Sequence, residues 1–363
     1  LRGWKKSDGW KEESAMHRHF FRKNQCSFIP AIAAILLFLP LAAGRAQQTQ
    51  SSSPSEGADL VRLRATVLNH QGRVVPLLNR DDFSVYLEKA PQQISHFSNE
   101  DEPASIVILV DLSGSMQTSR TKINRFSYLV QVAQRFIQLS NVSSEYSIIS
   151  FSREPRLVLD WSRDPQEVFR TLANLAAEKA KGVTAVRNAC QAGVRQAATG
   201  AYSKRVLLLF SDGQDTSAID GIKSISQKEL KQLLLEKEIQ FYAINPGTVA
   251  FSRDDARFLG LVEQEGMDYL DSLARLSGGR AYHPQNPLGM QQAAEAIATE
   301  LRHQYLITFT PASASANSKS FKVKVRPSPE IEKRYGLRGV SVRHREEFFS
   351  GSGSQPVSGE KKK

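Results

Sequence analysis

Cysteine is nearly missing from this chain: 363 residues contain only Cys26 and Cys190. The first falls in a leader-like segment, so an exported chain keeps one thiol and forms no intramolecular disulfide. A small disulfide-stapled scaffold is thereby excluded, and a core of this size needs no staples. Cys190 lies in a helical pattern with Val186, Ala189 and Val194 and reads as a buried small hydrophobe, not a nucleophile. The sequence also lacks HExxH, a Walker-type phosphate loop and GxSxG, and its His, Asp and Ser residues form no recognisable catalytic arrangement. The expectation is therefore a protein that is not an enzyme. A concentrated basic stripe is missing too. The net charge is +11, but residues 1–46 hold eight Lys/Arg against three Asp/Glu and contribute +5 of it. The remaining surplus is spread out apart from a short run at Lys361–Lys363, so no nucleic-acid partner is expected.

What is present describes an ordinary globular protein, 40% hydrophobic and 23% charged, long enough for a full core plus an accessory domain. Residues 1–46 read as an export signal. Residues 17–25 are basic, 28–43 are almost continuously apolar, and Gly44-Arg45-Ala46 offers small residues at both cleavage-determining positions. Met16 is the first methionine, and a start there gives the signal a normal length. The alternative is an uncleaved anchor over 26–43 holding the protein to the inner membrane, which would be its only membrane association. No cysteine directly follows the apolar run, which argues against a lipoprotein anchor. The expected location is periplasmic, outer-surface or secreted.

Residues 47–58 form a Gln/Ser-rich linker expected to be disordered, and 348–363 a loose tail. Between them lie three segments. Residues 59–100 carry short strand-like runs at 60–69, 83–87 and 93–97 separated by turn residues. Over 103–303 strands alternate with amphipathic helices: strands at 105–110, 146–151, 205–210 and 239–244, and helices at 123–139, 166–177, 186–198, 227–237, 269–276 and 288–302. That alternation implies parallel crossovers and an α/β fold with a doubly wound, mostly parallel sheet flanked by helices. Residues 304–347 return to strands, with 305–310 and 319–325 expected to pair as a hairpin. The first and last β segments are expected to form one small flanking β-module.

The chemistry is concentrated in SIVILVDLSGSM, residues 105–116. A buried apolar strand ends in Asp111-x-Ser113-x-Ser115, with Gly114 easing a tight turn. Thr184 lies in a loop just before the 186 helix, and Asp212 follows the strand ending at Phe210. Carboxyl ends of parallel strands share one sheet edge, so the three loops converge where open α/β sheets bind ligands. Their side chains offer oxygen only, which suits a hard cation. Asp215 in DGQDTS offers a further ligand and Glu154 and Asp160 offer rim acids, but the motif does not demand them and all three are expected to be ordinary solvated acids; His283 is expected to be a strand-end or surface histidine.

These residues resemble the metal-ion-dependent adhesion site of the von Willebrand factor type A family: Asp-x-Ser-x-Ser, then Thr, then Asp. The similarity covers about residues 105–302, and the flanks at 74–88 and 301–311 look like those of exported bacterial members. The resemblance implies that Ser113, Ser115 and Thr184 bind the cation directly, while Asp111 and Asp212 act largely through bridging waters. It further implies Mg2+, with Mn2+ next, and a protein partner whose Asp or Glu completes the coordination sphere. Two other readings compete: an envelope scaffold whose metal is only structural, and a metal-dependent hydrolase.

Overall fold

Seven consecutive buried residues, Ser105–Asp111, form the strand around which the molecule is built. The computed structural model describes residues 60–87, 89–117, 125–178, 182–246, 255–284, 286–311, 321–334 and 340–348. The expected signal or anchor, the whole of the expected linker and all of the tail but Phe348 lie outside them. Among the described residues no helix is long and apolar enough to cross a membrane.

Four strands come first: β1 (Val61–Leu68), β2 (Phe83–Leu87), β3 (Ala90–Gln92) and β4 (Ile94–Ser98). The α/β domain follows, with β5 (Ser105–Asp111), α1 (Gly114–Gln117), α2 (Arg125–Leu139), β6 (Glu145–Phe151), β7 (Pro155–Ser162), α3 (Pro165–Ala177), α4 (Val186–Ala197), β8 (Arg205–Phe210), α5 (Gln227–Glu236), β9 (Ile239–Ile244), α6 (Asp255–Ser277), β10 (Ala281–Tyr282) and α7 (Pro287–Arg302). The chain ends with β11 (Tyr305–Phe309), β12 (Phe321–Pro327), α8 (Pro329–Arg334), β13 (Ser341–His344) and β14 (Glu347–Phe348).

The central sheet has the order β10-β9-β8-β5-β6-β7, parallel except for β7, which runs antiparallel to β6 at the edge. Alternate residues of β5 feed two cores. Ile106, Ile108 and Val110 pack with residues of α2, α3 and α7, while Val107 and Leu109 pack with residues of α4, α5 and α6. A strand buried on both faces must be apolar throughout, which is why this run shows no alternation. Local signals set the helix starts: Asp164 caps α3 ahead of Pro165, Ser226 and Glu229 form a reciprocal capping box on α5, and Asn286 caps α7 ahead of Pro287.

The N- and C-terminal strands build one β-module, as their patterns predict. Two antiparallel sheets, β13-β1-β11-β4 and β14-β12-β2-β3, each mix strands from both ends of the chain around one core of Leu63, Leu78, Val85, Tyr305, Ile307 and neighbours. The expected hairpin between 305–310 and 319–325 is not formed. β11 lies between β1 and β4, whereas β12 lies between β14 and β2 in the other sheet. The buried residues Tyr305, Ile307 and Phe309 stand in register with Ala65, Leu63 and Val61. Matching of buried faces outweighs closeness along the chain.

Helix α6 is much longer than the expected 269–276. Its glycines and polar residues interrupt the apolar periodicity, and one of those glycines packs on the loop described next. Strand β7, unanticipated, has only weak alternation of burial.

Candidate functional site

The register of the central sheet brings the site together. Val110 stands opposite Phe210, so Asp111 at the end of β5 neighbours Ser211 and Asp212, which follow β8. Asp111 is fully buried, and Ser113, Thr184 and Asp212 are nearly so. One Asp111 oxygen, Oδ1, accepts the backbone N–H of Ser113 at 2.8 Å, which folds the Asp-x-Ser turn. The other, Oδ2, accepts the Ser211 hydroxyl at 2.6 Å. Ser211 Oγ in turn accepts the backbone N–H of Gly213 at 3.1 Å, and Asp212 Oδ1 accepts that of Gln214 at 3.1 Å.

The third loop is tied to the first two. A methyl group placed on Gly114 would lie 3.9 Å from the carbonyl of Gly182, two residues before Thr184. Leu112 donates its N–H to Phe151 O at 2.7 Å, and Ala185 donates to Ser152 O at 2.8 Å, so the end of β6 holds both loops. Thr184 and Thr216 are paired: the Thr184 N–H donates to Thr216 Oγ1 at 2.8 Å and the Thr216 N–H to Thr184 O at 2.9 Å. Ser115 lies on the one-turn helix α1, and its side chain is outside what the structure describes.

Burial first, and the Asp212 carboxylate second, push Asp111 up to about 7 from its ordinary 3.8, against the opposing hydrogen bonds from Ser113 and Ser211. Two carboxylates crowded in a low-dielectric niche favour a cation beside them. Among the described residues no group of three or more His, Cys, Asp or Glu side chains gathers to hold a metal. A set with two carboxylates and several hydroxyls is of another kind, and its oxygen-only donors match the preference of a hard divalent ion. On that chemistry the residues fit the cation.

Asp215 is not the solvated acid expected from its loop position. Its Oδ2 accepts the backbone N–H and Nε of Arg187 at 2.9 and 3.0 Å, and its Oδ1 accepts the Ser217 hydroxyl. Burial alone would raise its carboxyl, but the hydrogen bonds from Ser217 and Arg187 outweigh it and hold the group below its usual range. It anchors the start of α4. Asp160 accepts Gln196 Nε2 at 2.7 Å, Glu154 is exposed, and His283 follows β10 with Nε2 3.2 Å from Asp271. Cys190 is fully buried, and burial pushes its thiol well above the ordinary range.

Three supporting residues escaped the sequence reading. Ser211 stands beside the more conspicuous Asp212, and Ser-Asp-Gly at a strand end is the signal that places its hydroxyl at the loop. Thr216 had no signal, because its partner Thr184 is remote in sequence. Gly266 has one in retrospect: a glycine inside a helix is costly unless a close approach demands it. A Cβ there would sit 2.5 Å from Asp212 O, and one on Gly213, at φ +82°, would sit 2.6 Å from Gly266 O.

Residues 106–214 match the family model of the von Willebrand factor type A domain. No curated protein matches the chain. Among solved structures, an aerotolerance-related membrane protein from Bacteroides fragilis is 15% identical, with TM-score 0.41, over 55% of this chain and 98% of that one. BatB, a conserved hypothetical protein from Bacteroides thetaiotaomicron, is 14% identical, with TM-score 0.42 and the same coverages of 55% and 98%. A von Willebrand factor type A structure from Catenulispora acidiphila is 11% identical, with TM-score 0.43, over 80% of this chain and 74% of that one.

Proposed function

Because the protein carries a von Willebrand factor type A domain, we propose that it is an exported, non-catalytic interaction module that captures a protein partner through a divalent cation. Ser113, Ser115 and Thr184 would hold the ion directly, and Asp111 and Asp212 largely through bridging waters, as the family resemblance implies. The observation that carries this reading is the burial of the Asp111 carboxyl beside Asp212, which pushes it up to about 7. A doubly charged ion offsets both the burial and the repulsion. When bound, it supplies positive charge and a coordination position for an Asp or Glu of the partner. Magnesium suits this oxygen set best and manganese next. Attraction between the ion and the partner's carboxylate gives direction and specificity, and apolar contacts on the surrounding loops add affinity.

Export rests on the pattern of residues 1–46, a basic stretch, an apolar run and a small-residue cleavage site. We place the protein in the periplasm, on the outer surface or in the medium.

Calorimetric titration with MgCl2 and MnCl2, followed by capture from an envelope extract with and without EDTA, tests the reading. One ion per chain and a captured protein released by chelator are the expected results. Failure of both ions to bind, or capture that is indifferent to EDTA, overturns it.

A further inference from the structure

The geometry points to a binding site for a small planar oxyanion, a carboxylate or bicarbonate, in a cavity between the β-module and the α/β domain. Arg62, Arg64 and Arg345 supply its positive charge.

The cavity is small, about 30 Å3. A water-sized group needs roughly 10–15 Å3, so there is room for roughly two or three of them, the number of oxygens in these anions. Arg62, Arg64, Ser203, Glu238, Gln240 and Arg345 form its polar lining. Ser203 precedes β8 and Gln240 lies at the start of β9, whereas Asp212 follows the far end of β8. The site thus lies at the sheet edge opposite the metal loops and does not depend on them.

Arg62 and Arg64 stand half-buried on the outer face of β1, between the inward Val61, Leu63 and Ala65. Arg64 donates to Glu102 Oε2 at 2.6 Å and to Ser203 Oγ at 3.1 Å. Arg345, which follows β13, has a side chain only 9% exposed. One of its nitrogens, Nη2, donates to Arg62 O at 2.6 Å and to Glu238 Oε1 at 2.9 Å. Glu238 itself stands at φ +53°, a left-handed conformation that is costly for any residue but glycine. The chain accepts that strain in the residue whose carboxylate meets Arg345.

Two observations separate this cluster from a closed ion-pair network. Arg345 Nη1 and Gln240 Oε1 are buried with no hydrogen-bond partner among the described residues, although buried polar groups are almost always satisfied. The charges do not balance either: Glu102 pairs with Arg64 and Glu238 with Arg345, and among the described residues no ion pair takes up Arg62. Water can satisfy hydrogen bonds but leaves that charge in place, whereas an oxyanion answers both. Planar oxyanions also match the guanidinium fork. Bicarbonate donates its hydroxyl to Gln240 Oε1 as the amide stands, and a carboxylate accepts from the same amide turned over.

The test melts the full chain at pH 8, in EDTA to keep divalent ions out, in sodium acetate, sodium bicarbonate and sodium chloride at equal ionic strength. A saturable rise in melting temperature in acetate or bicarbonate but not in chloride is expected, with one anion per chain by calorimetry; which of the two acts identifies the anion. Arg62→Gln should weaken that binding about tenfold or more while melting in chloride close to the unaltered protein. Gln240→Leu, a second variant, should weaken it as well and decides the matter if Arg62→Gln does not fold. Equal melting in all three salts, a rise that never saturates, or unchanged affinity in the variants overturns the inference and leaves the cavity to water.

Discussion

Replacing Asp111 by Asn removes a charge while keeping the shape of the side chain, and the structure sets the expected size of the effect. The folded chain holds the Asp111 carboxyl at about 7, against an ordinary 3.8. At pH 8 the ionised form therefore disfavours folding by roughly 4 kcal/mol when no cation is present. Asn at this position never ionises, so that cost disappears. Against it stands one compromised hydrogen bond. Ser113 N–H and the Ser211 hydroxyl both donate to Asp111, and an amide offers only one acceptor oxygen, a loss of about 1–3 kcal/mol. The net gain is about 2 kcal/mol, or roughly 4–8 °C in melting temperature for a domain of this size. In EDTA at pH 8 the variant should thus melt above the unaltered protein. In magnesium at about a hundred times its Kd the order should reverse, because the unaltered protein gains about 2.7 kcal/mol and the variant almost nothing. Paired thermal melts in EDTA and in magnesium read both effects. A variant that melts lower in EDTA, or that keeps the full magnesium shift, refutes the claim that repulsion at Asp111 is what the cation relieves.

The same carboxyl makes stability depend on pH with a definite sign. The folded state keeps a proton that the unfolded chain releases, so in EDTA this contribution is complete near pH 4 and lost as pH rises through about 7. By the same arithmetic Asp111→Asn should melt below the unaltered protein near pH 4, where only the compromised hydrogen bond counts, cross it as pH rises, lie above it by pH 8 and level off there; a variant whose relative stability falls as pH rises contradicts it. Magnesium affinity should weaken below pH 7 as the ion competes with that proton, seen as a buffer-dependent binding enthalpy. Gly266→Ala puts a methyl group against Asp212 O, where 2.5 Å is too close. It should cost about 1–3 kcal/mol in denaturant unfolding and weaken magnesium binding; unchanged affinity would mean that the loop has room to yield. Arg343, from β13, donates to Glu300 Oε1 at 2.7 Å, and the Glu300 side chain is only 3% exposed. Arg343→Met should destabilise by about 3–5 kcal/mol, and adding Glu300→Gln should recover much of it, since the buried charge is then gone.

What the sequence makes legible follows from how local each signal is. The β5 run and its Asp-x-Ser-x-Ser loop lie within a dozen residues, and parallel crossovers then require the Thr184 and Asp212 loops to share an edge with them. The β-module is legible for a related reason: β1 alternates over its first half, with Val61, Leu63 and Ala65 buried between the half-buried Arg62 and Arg64, and its strand partners β11 and β13 both come from the C-terminal segment. Strand pairing within the module was less accessible. Residues 305–310 and 319–325 look like neighbours because they are close in the chain, yet they belong to facing sheets, a choice made by the shared core.

The site itself divides in the same way. Residues offering oxygen atoms announce themselves by type and spacing, whereas those that shape the loops do so through contacts between distant segments. Asp215 is the instructive case. In sequence it is one more acid in DGQDTS, and only the fold reveals Arg187 beside it, occupying both its backbone and its guanidinium contacts. With Asp215 engaged at the start of α4, the crowding that raises Asp111 comes from Asp212 alone among the acids. The proposed ion between β5 and β8 would therefore meet two carboxylates and not three, and hydroxyls would supply much of its remaining shell. In the proposed arrangement both carboxylates act largely through bridging waters, so the direct shell would be mostly neutral hydroxyl and would keep a position for a partner's acid; a third carboxylate beside the ion would make the site net negative and oppose that acid.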